Sequence, residues 1–377
     1  MIGRAKSSGN LVIGGGLAGS MLAIRLATAG REVTLLEKER AAHHKVCGEF
    51  LSREAVEYLR GAGVEPLRLG AATIRVVRLS VKSKVVEAAL PFTALSLSRH
   101  VLDEAMLSRA AESGCNVVRG EFVEGLMSRD GLWHAQLRSG DSWCAPTAFL
   151  ASGKHDLRGF DRVPFTQGDL VGFKLHWRLA AAQIEALRDA MELFLFPGGY
   201  GGLSLVEGDA ATLCLVVRRA NLRKLGGWNE LLGQLLSKNQ NLSRRLENAT
   251  PSWDRPLAVS SIPYGYLTKR SDGLWCVGDQ AAVIPSFTGD GMSIALHSAV
   301  LAADMYLGGD TAHNYHRKLN ADLYRGMKLA TLISQAMVTG HGRVLAPIGL
   351  SFFPNAMQWI ARFTRIPNRA LSSTQVH

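Results

Sequence analysis

The spacing of apolar and polar positions changes period several times along this chain. Residues 11–13, Leu-Val-Ile, form a continuous apolar run, as in a strand buried on both faces. Over residues 20–29 the apolar side chains recur at helical spacing, and Gly30 stands where a left-handed helix cap belongs. A second strand, 33–36, ends at Glu37. Ser52 reads as the cap of a helix with Ala55, Val56 and Leu59 on one face, ending near Gly61 or Gly63. Residues 73–92 alternate as strands, with 74–79 and 85–86 as their clearest parts. A second amphipathic helix covers 98–113, with Val101, Leu102, Ala105, Met106 and Ala110 inward, and Gly114 ends it. Strands follow at 115–118, 132–138, 142–145 and 148–151.

From 165 to 260 the texture differs. Strand-like stretches at 171–178, 193–196, 202–206 and 212–218 surround a helix near 181–191, and a helical region covers 228–247. At Leu274-Trp275-Cys276-Val277 the buried-strand pattern returns and leads into a helix over 293–307, and 313–377 reads as mostly helical. The pattern predicts an α/β protein with a discontinuous Rossmann-like nucleotide-binding domain of residues 1–70, 97–160 and 270–310. It places an inserted antiparallel β-sheet substrate domain at 71–96 and 161–269, and a C-terminal helical region at 311–377.

Composition narrows this modestly. With 47% hydrophobic and 20% charged residues, the 377-residue chain has the make-up of a soluble globular protein with a large core. The net charge of +11 fits an acidic cofactor, an acidic substrate or an anionic membrane surface. Its basic residues are spread out, without the clustering and interleaved aromatics of a nucleic-acid binder. Five scattered cysteines form no C-x-x-C pair, and the N-terminus has no long apolar run, so a cytoplasmic location is expected. The stretch 344–361 is apolar but broken by Pro347 and Pro354. It predicts at most a transient membrane-surface contact, and monomer and homodimer both remain open. His43, His44 and Cys47 lie close in sequence but offer no fourth ligand, so no metal is expected.

The chemistry starts at Gly14, Gly16 and Gly19, a G-x-G-x-x-G between strand and helix. Gly14 suits a tight turn, Gly16 admits a pyrophosphate close to the backbone, and Gly19 lets helix and strand pack closely. The helix N-terminus then offers N–H groups and partial positive charge to that pyrophosphate. Glu37 lies about 20 residues on, where a carboxylate accepts ribose hydroxyls. A glycine-rich turn with no ligand is the bland alternative.

Three further motifs join this one: Ser98-Arg99 with Leu102-Asp103 and Leu107, Gly278-Asp279, and Pro285 with Thr288-Gly289-Asp290-Gly291-Met292. Together they resemble the FAD-dependent hydroxylase superfamily, the group of para-hydroxybenzoate hydroxylase, squalene epoxidase and geranylgeranyl reductase. The resemblance implies a GR2-type FAD-binding domain and FAD as cofactor. It places Gly14, Gly16, Ala18, Gly19, Glu37, Lys38, Cys47, Gly48, Arg99, Gly278, Asp279, Pro285, Thr288, Gly289, Asp290, Gly291 and Met292 at that cofactor. Lys45-Val46-Cys47-Gly48-Glu49 and the T-G-x-G wording are closest to the geranylgeranyl reductase and squalene epoxidase branch. The hydroxylases' A-D-G…R motif is here Ala151-Ser152-Gly153…Arg158, which puts the usual contact with NAD(P)H in question although NAD(P)H stays a candidate electron donor. The halogenases' W-x-W-x-I-P motif is absent.

The expected function is therefore an FAD-dependent oxidoreductase. A monooxygenase that hydroxylates or epoxidises a small aromatic or lipophilic substrate leads. A carbon–carbon double-bond reductase or dehydrogenase of the geranylgeranyl reductase type is the alternative, with a halogenase or a non-catalytic FAD-binding protein behind. Cys47, Glu49 and Tyr200 are the candidate catalytic residues. Against this, Cys47 can be a small packing residue and Glu49 a charge at a helix N-terminus. Tyr200 sits in Pro197-Gly198-Gly199-Tyr200-Gly201-Gly202, where the glycines allow close backbone approach. Phe194, Phe196, Trp177, Tyr264 and Tyr266 are candidates to line an apolar cavity or, more simply, to fill core. His155 and Asp156 fit a solvated loop.

Overall fold

The computed structural model describes residues 5–81, 84–163, 166–338, 365–367 and 370–371. The elements that position the site are, in chain order, β1 (Asn10–Ile13), α1 (Leu17–Thr28), β2 (Val33–Glu37), α2 (Arg53–Gly61), β3 (Ala72–Val81), β4 (Lys84–Ser96), α3 (Arg99–Glu112) and β5 (Asn116–Arg119). After them come β6 (Thr147–Leu150), β7 (Leu170–Arg178), β8 (Asp189–Phe196), β9 (Gly199–Leu205), β10 (Ala211–Arg218), β11 (Trp275–Cys276), α4 (Gly291–Leu307) and α5 (Ala312–Val338).

A five-stranded parallel sheet, ordered β11-β6-β1-β2-β5, carries the nucleotide-binding half. Its inner strands are buried throughout, which is why they read as mainly apolar and without alternation. α1 starts at Leu17 rather than Ser20 because Gly16, in extended backbone, already serves as its N-cap. α4 likewise begins at Gly291, earlier than its apolar pattern indicates. Ser52 caps α2 as expected, accepting from the Ala55 N–H, and Ser98 caps α3 in the same way, accepting from the Val101 N–H. A strand at Val123–Arg129, which the pattern did not reveal, joins the predicted hairpin. Ala5–Ser7 completes that small sheet in parallel with Ser142–Ala145.

The second sheet has nine strands, with the central order β7-β10-β9-β8-β3-β4. The expectation of a purely antiparallel sheet needs one correction: β8 runs parallel to β3, so the sheet is mixed. The helix predicted over 181–191 is only Ala181–Leu187, because the chain turns at Asp189 (φ 58°) and enters β8 at once. Phe50–Leu51, from within the nucleotide-binding segment, extends the sheet by pairing with β4.

The sheet is two-sided. One face carries Phe173, Leu175, Phe194, Phe196, Leu213 and Leu215, in a core with the helices Trp228–Lys238 and Gln240–Arg245. Trp177, Phe194 and Phe196 therefore belong to this core and not to the wall of the large cavity described below. The opposite face turns toward the parallel sheet. The C-terminal helical region is represented by α5, and the stretch 344–361 lies outside the described residues.

Candidate functional site

One cavity of about 1090 Å³ runs from the glycine turn after β1 to the second face of the mixed sheet. At the turn, a Cβ on Gly14 (φ 108°) would fall 2.4 Å from the Ala151 carbonyl oxygen. One on Gly19 would fall 1.9 Å from the Gly14 oxygen, so both positions tolerate only glycine. Gly16 differs: its Cβ position faces open space, with Arg99 Nη2 at 3.5 Å and Lys45 Nζ at 3.6 Å as its nearest atoms. An open backbone at a helix N-terminus flanked by two cations is a fitting seat for a diphosphate. Glu37, at the end of β2, accepts from the Gly15 N–H at 2.7 Å and the Glu39 N–H at 2.9 Å, and it lines the cavity. These residues fit the adenosine diphosphate part of FAD. Ala18 and Lys38 line the same end.

Farther along, Arg99 at the start of α3 grips Asp103 with two hydrogen bonds (2.7 and 2.9 Å), and Lys45 joins the same carboxylate at 2.8 Å. Burial alone would raise Asp103, but the Arg99 and Lys45 charges hold it below the usual carboxylate range. Cys47, Gly48, Gly278, Asp279, Thr288, Gly289, Gly291 and Met292 all reach the cavity wall. Gly19, Pro285 and Asp290 do not; they shape the turns behind it. Gly289 (φ 73°) is confined by Phe50, whose ring would lie 2.6 Å from an added Cβ. The arginine that braces the 279 turn is Arg162, which is buried and donates to the Asp279 and Lys154 carbonyls and to Asp156. Arg158, which the A-S-G…R reading singled out, is exposed.

The far wall is sheet. Leu79, Leu193, Leu195, Cys214, Val216 and Tyr200 face it, and burial pushes the Cys214 thiol up to about 12. Tyr200 and Tyr264 both place their hydroxyls on Ser286 Oγ, at 3.2 and 2.9 Å, and burial raises both phenols. They stay protonated as neutral polar groups in an apolar wall. Tyr266 is buried but does not reach the cavity.

Beneath Cys47 lies a charged cluster that sequence reasoning missed. Glu49 is fully buried in left-handed backbone (φ 59°). Its carboxylate is ion-paired with Lys174, bonded to His176 Nε2 at 2.8 Å, and accepts the Arg99 N–H at 2.8 Å. Burial would raise the carboxyl, but the His176 hydrogen bond and the Lys174 charge bring it below its ordinary range. Glu49 thus caps the N-terminus of α3 and anchors two β7 side chains, which explains why it is charged at rest. His44 packs against this cluster, with ring centroids 4.8 Å from His100, 4.9 Å from His176 and 4.8 Å from Trp253. Burial, with the Lys174 charge, lowers His44 to about 4, so it is neutral near pH 7. His44, Glu49 and His176 bring ligand atoms within 4.8 Å of one another, but the Lys174 ammonium already holds the shared carboxylate and disfavours a cation there.

Comparison with known proteins agrees with this geometry. Residues 9–142 match the FAD binding domain family. Protein FixC of Escherichia coli O157:H7 is 27% identical over 157 residues, covering 39% of this chain and 37% of FixC, little more than a third of that relative's length. A geranylgeranyl bacteriochlorophyll reductase-like protein from Thermoplasma acidophilum superposes with a TM-score of 0.76 at 18% identity, over 98% of this chain and 96% of that one. The flavin-dependent brominase Bmp2 gives 0.78 at 17% identity, over 95% and 93%. The halogenase PltM, in complex with phloroglucinol and FAD, gives 0.74 at 13% identity, over 97% and 89%. The fold is that of these solved structures, and with the match to the FAD binding domain family the cofactor is FAD. No helix among the described residues is long and apolar enough to cross a membrane.

Proposed function

We propose that this FAD-dependent oxidoreductase is a monooxygenase acting on a small aromatic or lipophilic substrate. One observation carries the reading: the cavity that begins at the glycine turn ends on a wall of Leu79, Leu193, Leu195 and Val216, a surface suited to an apolar substrate and poor in water sites. Bound there, FAD supplies the redox chemistry, reduction by a donor followed by reaction with dioxygen. The protein's own part is placement. Gly14, Gly16 and Glu37 hold the adenosine end, with Arg99, Lys45 and the 278–279 and 288–292 turns along the rest. Tyr200, neutral and on β9, offers a hydrogen bond to a substrate oxygen from the sheet side, while Tyr264 donates its own to Ser286 Oγ beside it. NAD(P)H is the first candidate electron donor to assay.

A second reading has its own support. Cys47 lies on the cavity wall within the Lys45–Glu49 stretch that resembles the geranylgeranyl reductases, and its Sγ accepts the Glu49 N–H at 3.4 Å. This favours reduction of a carbon–carbon double bond, with Cys47 facing the reacting atoms. The brominase and halogenase likenesses are likenesses of fold, and the W-x-W-x-I-P motif is absent. Paired aerobic and anaerobic assays decide between the two. Substrate-stimulated oxygen uptake with an oxygenated product supports the monooxygenase. Turnover that persists without oxygen and yields a saturated product rejects it in favour of the reductase.

A further inference from the structure

Gly202 is the only residue of β9 that is not buried. It shares a face with Tyr200, two residues back, and both line the cavity. Strand pairing sets its neighbours in a row across the wall: Leu79 on β3, Leu193 on β8, Gly202 on β9, Cys214 on β10 and Lys174 on β7. Leu79, Leu193 and Cys214 each line the cavity, so the row has a gap at Gly202. Neither backbone nor packing demands glycine there. Gly198 needs its φ of 78°, and a Cβ on Gly199 or Gly201 would fall 2.2 Å from the Val216 oxygen or 2.4 Å from the Phe194 ring. Gly202 has ordinary strand backbone, and a Cβ on it would meet only β8: Leu193 at 3.3 Å, the Glu192 oxygen at 3.7 Å and Met191 at 4.0 Å. Among the described residues, chain neighbours apart, nothing on β10 or across the cavity comes nearer. A glycine inside a strand weakens it, and it marks places where a ligand comes close to the backbone.

We propose that Gly202 is the floor of a recess that receives an uncharged apolar arm of the substrate, and that it thereby sets which substrates the enzyme accepts. The proposal rests on the reading that this cavity holds FAD and an apolar substrate. Adjacent strands lie about 4.8 Å apart, so Leu193 and Cys214 bound an opening one side chain wide. Tyr200 closes one end of it, with its hydroxyl turned to Ser286. The surround carries no free charge: burial keeps the Cys214 thiol protonated, and Lys174 at the end of the row is already matched by Glu49. An alkyl branch or the edge of a ring fits such a recess, in direct contact with the Gly202 backbone. A carboxylate or ammonium group does not, because it would lose its water there and gain no partner.

The probes are phenol and 4-propylphenol, titrated into the FAD-loaded protein and read by the change in the flavin absorption band. A buried methylene is worth about fourfold in affinity, so 4-propylphenol is expected to bind the wild-type protein at least about tenfold more tightly than phenol. Gly202→Leu fills the recess. It is expected to keep FAD and its affinity for phenol, and to reduce the propyl advantage to less than about threefold. No advantage in the wild type, or an undiminished one in Gly202→Leu, overturns the proposal. Loss of FAD from that variant on desalting overturns it too, because the flavin itself would then occupy the recess. If Gly202→Leu does not fold, Gly202→Ala carries the same comparison, with the advantage expected to fall by about threefold. A wild type that binds neither phenol rejects the substrate class proposed above, and xenon then decides on the recess alone. Crystals of the FAD-loaded protein under xenon pressure should show the gas between Leu193 and Cys214, as dry apolar cavities do, and a recess without xenon overturns the proposal.

Discussion

Lys174 shows how much one side chain depends on what covers it. It is fully buried, with its charge matched by a single carboxylate, Glu49, which also serves His176 and the start of α3. Lys174→Met leaves that carboxylate short of its main countercharge. Removing one partner of a buried pair costs roughly 3–5 kcal/mol, so urea unfolding should show a loss of that size. Glu37 is the matching test at the other end of the cavity. Glu37→Ala should lower FAD retention by roughly tenfold or more, because a charged acceptor is worth about 1.5–3 kcal/mol. Flavin released on desalting measures it, and full retention of FAD would remove Glu37 from the ribose. Glu37 was legible from sequence because a glycine turn and two strands fix its place. Lys174 and His176 were not, because Leu170–Arg178 alternates like any strand with one solvated face. Only the 44–49 loop, packed over that face, turns its polar side chains into a buried cluster.

At the level of elements, β9 separates fold from chemistry within a few residues. Gly201 faces the core, where an added Cβ would meet the Phe194 ring at 2.4 Å, whereas one on Gly202 faces the cavity side, 3.3 Å from Leu193. Gly201→Ala should therefore destabilise by about 1–3 kcal/mol, and Gly202→Ala by little, as paired thermal melts would show. Equal losses in both would refute the assignment of faces. The glycine cluster was visible in the sequence as a place of close approach. Which glycine faces which side depends on pairing with β8 and β10, and alternation within β9 alone cannot supply that. The same limit hid the parallel β3–β8 contact, since strand direction leaves no mark on a strand's own pattern.

For the molecule as a whole, acid is the weak direction. His44 and His297 are both lowered to about 4, His297 by burial and the distant Lys318 charge. The unfolded chain binds protons at these sites from about 6.5 downward while the folded protein resists them, so stability falls between about pH 6.5 and 4. Glu49 and Asp103, both held below the ordinary carboxylate range, extend the loss to lower pH, where protonation breaks their ion pairs. His297 is fully buried and contributes about 3 kcal/mol to this slope. Denaturant midpoints across pH 4–7.5 should fall with acid, and His297→Gln should flatten the upper part of the fall; a pH-independent midpoint would contradict it.

The mixed sheet has a temporal consequence as well. During synthesis β3 and β4 leave the ribosome as a finished hairpin, yet the outer edge of β3 has no neighbour until β8 has been made, more than a hundred residues later. For that interval the nascent chain carries an open, partly apolar strand edge, the kind that recruits other chains. Slowing translation between the codons for β4 and β8 should lengthen this exposure and increase aggregation, while a chaperone that shields the hairpin should offset it.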